Sequence, residues 1–389
     1  MTMQSRHAVV RPPGQANEAR TRRTPFVWAI THKRCGDNEQ TLALAESLRW
    51  PFSTIELGEP ASNARLLDGL RRTWRTRGPS PSIRLQPSWP DLVICCGCDA
   101  EQFARSIRKA AGPTNTQLVY IGRPRSRFAE FSLVLSTPQY ALPARPNIIQ
   151  LDLPLHRVRP ERIAAAMAAW RPRFAHLPRP HIALLVGGST GPFALDAQAA
   201  ARLGIRASAR ARATGGSLLV STSFRTQRWV TAALLDHLDA PAHVHRWSRN
   251  ATENPYLAYL GLADEIIVTG DSMSMLSESA ATGKPLHIFD LGEGAYAMRM
   301  GAPLGRQLWL RPQLLARMLH FKTVESLMPP DRRRDIRRIL GNLIASGRAA
   351  WLGDPLPSLP SVLPSSGLDE AMRRIKGWFE PEPDQAGAR

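Results

Sequence analysis

Short apolar runs rich in β-branched residues alternate with helical patterns from Phe26 almost to the end of the chain. That rhythm is the mark of βαβ units, in which parallel strands are joined by crossover helices. In the first half it predicts strands over 26–31, 53–57, 91–95, 117–121, 132–135 and 147–151. Residues 38–48 read as a helix because Leu42, Ala45 and Leu48 share one face, and 100–110 read as another. Near Leu153 the rhythm pauses. An Ala-rich helix over 161–170 sits among prolines and arginines, and Pro172, Pro178 and Pro180 break the chain before the next strand. Strands resume over 181–186, 217–221, 243–247, 265–268 and 285–289, with helices predicted over 226–238 and up to 282. Further helices are predicted over 331–340 and 368–379. Two Rossmann-like halves joined by a Pro-rich hinge direct ligands to the carboxyl ends of their strands, in a cleft between the halves. The predicted boundaries are a disordered basic tail over 1–24, a first domain over 25–158 and a hinge over 159–180. A second domain then spans 181–330, and helices and a tail span 331–389.

Composition narrows the setting. The 389 residues are 43% hydrophobic and 21% charged, enough apolar material for about two ordinary domains. No apolar run approaches the roughly 18 to 20 residues that span a bilayer. The Arg-rich start has no apolar core of a secretory signal, so a cytoplasmic address is expected. The excess of 51 Lys+Arg over 32 Asp+Glu gives +19, and only Lys33, Lys109, Lys284, Lys322 and Lys376 are lysines. Part of that bias is compositional, and the rest suits an anionic partner. Nucleic acid is not expected, because the arginines are dispersed and not interleaved with aromatics as in a known module. Cys95, Cys96 and Cys98 follow an apolar run and read as a buried strand end rather than a metal site.

Chemistry concentrates at strand ends. Gly187-Gly188-Ser189 follows a strand, and its glycines let backbone N–H groups approach a diphosphate; a tight turn without a ligand is the alternative. Thr222, Ser223, Arg225 and Thr226 crowd the next strand end, where they can hold a phosphate or simply cap the following helix. The block from Thr269 to Glu278 brings Asp271, Ser272, Met275 and Ser277 to a third end, with Glu278 two turns into its helix. There a carboxylate can accept hydrogen bonds from a ribose diol, or stand as an exposed helix glutamate. In the first half Asp37 lies at the first strand-to-helix turn, either as a helix cap or as a general base. Leu66, Leu67, Leu70 and Trp74 share a helical face framed by five arginines between Arg65 and Arg77. That helix suits either an anionic membrane surface or a core position with a solvated rim.

Gly36-Asp37-Asn38-Glu39-Gln40, Gly187-Gly188-Ser189, Thr222-Ser223-Phe224-Arg225-Thr226, Asn254-Pro255-Tyr256, the block Thr269 to Glu278 and Gly283-Lys284-Pro285 together resemble the mitochondrial-fission Elm (elongated mitochondria) family. The family has plant and proteobacterial members, and the resemblance runs over about 26–289. It implies a GT-B-like α/β fold of two facing Rossmann-like domains with parallel sheets and an interdomain cleft. Plant members are associated with recruiting a protein to mitochondria, and bacterial ones are often labelled nucleotide-sugar epimerases. The glycine turn and the stretch 272–285 are also similar to the donor site of the lipid-linked GlcNAc transferase of peptidoglycan synthesis. That likeness puts Glu278 on the ribose and Ser189 near the diphosphate, with Asp37 where that enzyme bears a histidine base. Two departures stand out: the first loop lacks the enzyme's run of glycines, and Phe224 precedes Arg225 where the Elm pattern has two arginines.

These readings converge on a binder of a nucleotide-sugar donor, a UDP-sugar first, acting as an inverting glycosyltransferase on a membrane-associated or lipid-linked acceptor. No cofactor or metal is obligatory in it, since no Asp-x-Asp motif lies in a suitable loop. Peripheral attachment to an anionic inner-membrane surface is expected. The rival readings are a non-catalytic adaptor that recruits a protein partner and a nucleotide-sugar epimerase.

Overall fold

A computed structural model of the chain describes residues 24–32, 35–58, 89–112, 115–293, 297–299, 312–329, 332–356 and 367–379. The Arg65–Arg77 segment lies outside them, as does nearly all of the basic tail. The described residues form two compact units, one up to Leu135 with the segment from Leu368, the other Ser136–Gly367.

The first sheet contains β1 (Val27–Thr31), β2 (Phe52–Glu56), β3 (Leu92–Cys96), β4 (Gln117–Ile121), β5 (Leu133–Ser136) and β6 (Ile148–Gln150), in the order β2-β1-β3-β4-β5-β6. Every register pairing from β1 to β5 is parallel. Helices α1 (Cys35–Leu48) and α2 (Cys98–Ala111) make the crossovers after β1 and β3. β3, at the centre, is buried along its whole length, whereas edge strand β2 is largely open. A strand covered on both faces needs an unbroken apolar run, which is why Leu92-Val93-Ile94 leads into buried Cys95 and Cys96. Burial pushes both thiols upward, the behaviour of packed side chains rather than nucleophiles.

In the second unit, α3 (Pro160–Trp170) precedes β7 (His181–Leu185), followed by α4 (Ala197–Ala213), β8 (Ser217–Ser221), α5 (Arg228–Leu235), β9 (Ala242–His245) and α6 (Tyr256–Leu262). Then come β10 (Glu265–Thr269), α7 (Met273–Ala280), β11 (Leu286–Phe289), α8 (Pro312–Leu327), α9 (Arg337–Ala345) and β12 (Ala350–Trp351). The sheet order is β12-β11-β10-β7-β8-β9, again parallel throughout. Asp196 caps α4 by accepting the Ala199 N–H at 2.8 Å, and Ala199, Ala200, Leu203, Ala207 and Ala211 bury one stripe against the sheet. Small residues let the helix sit close: a Cβ at Gly204 would lie 2.8 Å from the Leu234 carbonyl of α5. Truncating the fully buried Leu203 to Ala removes contacts worth about 2–5 kcal/mol.

Several predicted boundaries move for identifiable reasons. The helix predicted over 226–238 starts at Arg228, because the Thr226 hydroxyl is used on a neighbouring loop. The one predicted over 331–340 becomes α9, whose first turn is fixed by Asp335 accepting the Arg337 N–H at 3.0 Å. β12 and α8 have no counterpart in the sequence reading. The final helix, α10 (Gly367–Gly377), buries Ala371 and Ile375, and the Phe379 ring beyond it meets Trp50 edge-on at 5.6 Å.

Candidate functional site

In the second unit the ends of β7, β8 and β10 are stitched into one cluster. Gly187 N–H donates to Thr269 Oγ1, and Gly188 N–H to Asp271 Oδ2, both at 2.8 Å. From the β8 end, Ser223 Oγ donates to the Gly187 carbonyl at 3.1 Å, and Thr226 Oγ1 reaches the same oxygen at 2.5 Å. Arg225 Nη2 lies 2.6 Å from Asp271 Oδ2. A side chain at either glycine would destroy this: a Cβ at Gly187 would stand 2.4 Å from Asp271 Oδ2, and one at Gly188 2.6 Å from the Arg225 carbonyl. Glycine serves here by close approach of loop to loop rather than by an unusual backbone angle.

The sequence reading expects the N–H groups of Gly187 and Gly188 to face a diphosphate, yet both donate inside the protein. Nor does the turn lead straight into a helix. Thr190 and Phe193 pair across a short bridge, and exposed Ser189 accepts the Leu195 N–H at 3.0 Å. Thr222 is buried and takes the Trp247 N–H at 2.8 Å, tying the β8 and β9 ends together. Ser277 donates to the Pro154 carbonyl at 2.6 Å, which makes it a tether. Ser272 is buried at the start of α7, and Met275 is half-buried on its first turn.

Two carboxylates carry the electrostatics. Asp271 is fully buried, and burial raises its pKa against the pull of Arg225, the Gly188 N–H and Thr269. Glu278 accepts a hydrogen bond from the Tyr256 hydroxyl, so it is a held group rather than a loose surface glutamate. Burial and the Glu278 charge push the Tyr256 phenol well above its ordinary range. Tyr256 opens α6, the helix preceding β10, which brings it to the same sheet end. Its place in the Asn254-Pro255-Tyr256 motif was visible in the sequence, but its partner was not. Lys284 acts structurally, because its Nζ donates to the carbonyls of Leu260, Gly261 and Ala263 at 2.9, 2.5 and 2.5 Å and so caps α6.

In the first unit Asp37 sits in the first turn of α1. Its Oδ2 is 3.5 Å from Nε2 of His32, the residue just past β1, and that nitrogen is 3.0 Å from the Cys96 carbonyl. Asn38 fixes the turn, accepting the His32 N–H at 2.9 Å and donating to its carbonyl at 2.5 Å. Gly97, with φ of 87°, closes the arrangement, since a Cβ there would lie 2.7 Å from His32 Nε2 and 2.9 Å from Asp37 Oδ2. His32 is 5% exposed and Asp37 27%, so the carboxylate is the open member of the pair. Sequence reasoning singled out Asp37 and missed His32; a histidine immediately after a strand was the available signal.

Two Rossmann-like parallel sheets in tandem, each with loops at the carboxyl ends of its strands, define an α/β chain of the GT-B-like class. Within that class the profile described as mitochondrial fission ELM1 matches residues 35–302, more than half of the chain, and the chain belongs to that family. Mitochondrial fission protein ELM1 of Arabidopsis thaliana is 29% identical over 222 residues, 51% of each chain, so the match spans about half of the plant relative. A Rickettsia prowazekii protein is 24% identical over 297 residues, covering 68% of this chain and 82% of that one. Among solved structures, a glycosyltransferase from Rickettsia africae covers 92% of this chain and 98% of its own, at 11% identity and a TM-score of 0.41. No helix among the described residues is long and apolar enough to cross a membrane.

Proposed function

We propose that this ELM1-family chain binds a nucleotide-sugar donor, a UDP-sugar first, and transfers the sugar with inversion to a membrane-associated acceptor without an obligatory metal. The observation that carries this reading is the three-loop cluster of the second unit, which holds a guanidinium, a helix N-terminus and a pinned glutamate at one sheet end. Glu278, oriented by Tyr256, is suited to accept hydrogen bonds from a ribose. Ser189 and Arg225 would meet the diphosphate. In the transfer step the acceptor oxygen attacks the anomeric carbon, the bond to the diphosphate breaks, and Asp37 takes the acceptor proton. Arg225 and the start of α7 would offset the charge that develops on the leaving group. His32 would hold Asp37 in place.

One observation favours the adaptor reading: Arg225 already faces Asp271, and the Gly187 and Gly188 N–H groups are used internally. Calorimetric titration of UDP, GDP, ADP, CMP and their sugars separates the two. Saturable binding supports the donor site, and silence from all of them rejects it and leaves the adaptor. Binding with turnover that Asp37→Ala leaves untouched removes the base assignment alone. A product formed without acceptor would instead mark an epimerase.

A further inference from the structure

The second unit contains a cavity of about 800 Å³ that shares no residue with the strand-end cluster. Its walls come from α4, β11 and the segments that follow β11 and β12. Arg202, Arg206 and Arg210 line it from α4, spaced four apart and therefore on one helical face, with Arg299 from another wall. Arg202 lies 3.0 Å from Glu293, Arg210 2.8 Å from Glu265, and Arg299 2.9 Å from Asp354. Arg206 is exposed and meets no carboxylate among the described residues. The remaining acid, Asp290, is committed to the N–H groups of Gly292, Met298 and Arg299. His287 lines the same cavity at 3% exposure; its Nε2 is 3.1 Å from Glu265, and its Nδ1 has no hydrogen-bond partner among the described residues.

Four guanidinium groups around a space of small-molecule size have a specific use. Planar guanidinium donors bind phosphate oxygens in pairs, and several together recognise a multiply charged anion. Two of the resident carboxylates are open to water, Glu293 at 46% and Asp354 at 44%, so each can turn outward at little cost, whereas Arg202, 19% exposed, stays in place by donating to the Asp290 and Leu291 carbonyls. A dianion entering the cavity would release both to water and gain Arg206 outright. We propose that this cavity is a second ligand site, separate from the candidate donor site, for a small phosphorylated or diphosphate-bearing molecule held by Arg202, Arg206, Arg210 and Arg299.

Inorganic pyrophosphate is the probe, titrated calorimetrically into the full chain at low ionic strength. The expected result is a saturable event that persists in Arg225→Ala, weakens at least tenfold in Arg206→Ala/Arg299→Ala, and fades with added salt. Ala209→Glu gives a second route, since Ala209 is an exposed wall residue and the change removes no existing group. It supplies a competing carboxylate, so it should reproduce the loss while the melting temperature stays near wild type. The proposal is overturned if the wild type shows no saturable binding, or if Arg225→Ala abolishes binding while the Arg206 and Ala209 changes do not. Failure of the donor-site reading would remove only the event sensitive to Arg225, so the two outcomes are separable.

Discussion

Replacing Arg225 by Met removes the cation facing Asp271 while keeping much of the side-chain volume. Asp271 has a side-chain exposure of 0% and Arg225 of 30%, so the change strands a buried carboxylate. Removing one partner of a buried pair costs about 3–5 kcal/mol. Here the Gly188 N–H and Thr269 remain on the carboxylate, and Arg225 is partly solvated, which lowers the expected cost to about 2–3 kcal/mol near neutral pH. In a unit of this size that is a fall of roughly 5–10 °C in melting temperature. The pH dependence gives the sharper test. Burial already raises the Asp271 pKa in the folded state, and Arg225 is the largest influence opposing it. Its loss raises the folded value further and leaves the unfolded value alone. The variant therefore carries its full penalty at alkaline pH and recovers stability as the native carboxyl takes up a proton on acidification. Melting curves of both proteins at pH 8, 7, 6 and 5 should show the gap narrowing towards pH 5, with Asp271→Asn recovering most of the loss at pH 8. A variant that melts within 1 °C of wild type at pH 8, or a gap that stays constant or widens on acidification, refutes the reasoning.

Other residues give independent tests. Gly97→Ala forces a side chain into both a positive φ and the space of His32 and Asp37, so it should cost at least about 1–3 kcal/mol and lower turnover in any transferase assay. A stable, fully active variant would show that His32 and Asp37 need not stay together. Lys284→Met leaves three carbonyls at the end of α6 without their donor, for a loss of about 2 kcal/mol and faster amide exchange in α6; unchanged exchange there would contradict the capping role. Tyr256→Phe releases Glu278 and should weaken binding of a ribonucleotide several-fold while leaving pyrophosphate binding intact. Equal weakening of both ligands would place Tyr256 in general stability instead.

The parallel architecture was legible because each buried strand needs an apolar run. Leu92 to Cys96 and Glu265 to Thr269 sit on both-face-covered strands, and their composition says so. Edge elements were harder to read: β12 pairs through two residues only, too short to leave a periodic signal. Helix starts moved where a polar side chain chose a distant partner, as Thr226 does in reaching Gly187. In the candidate site the strand-end loops were identifiable from glycines and hydroxyls, but their partners were not. Nothing in the sequence spacing says that Gly188 and Arg225 meet on Asp271, because those contacts join three loops separated by dozens of residues.

That joining changes how the motifs should be weighed. A glycine-rich turn followed by hydroxyls is usually read as a row of ligand contacts, yet here Gly187, Gly188, Ser223 and Thr226 spend their hydrogen bonds inside the protein, on one another, Thr269 and Asp271 Oδ2. Their common product is a fixed platform that holds Arg225, Ser189 and the start of α7. Preorganisation of this kind lowers the cost of binding by settling geometry beforehand. It also means that an incoming diphosphate must share Arg225 with Asp271, so a donor's affinity would lean on Glu278 and on contacts to the sugar and base. The motif residues therefore fall into two physical groups: those that knit the strand ends, Arg225 among them through Asp271, whose loss should appear first as instability, and those left facing outward, such as Ser189, whose loss should appear first in binding.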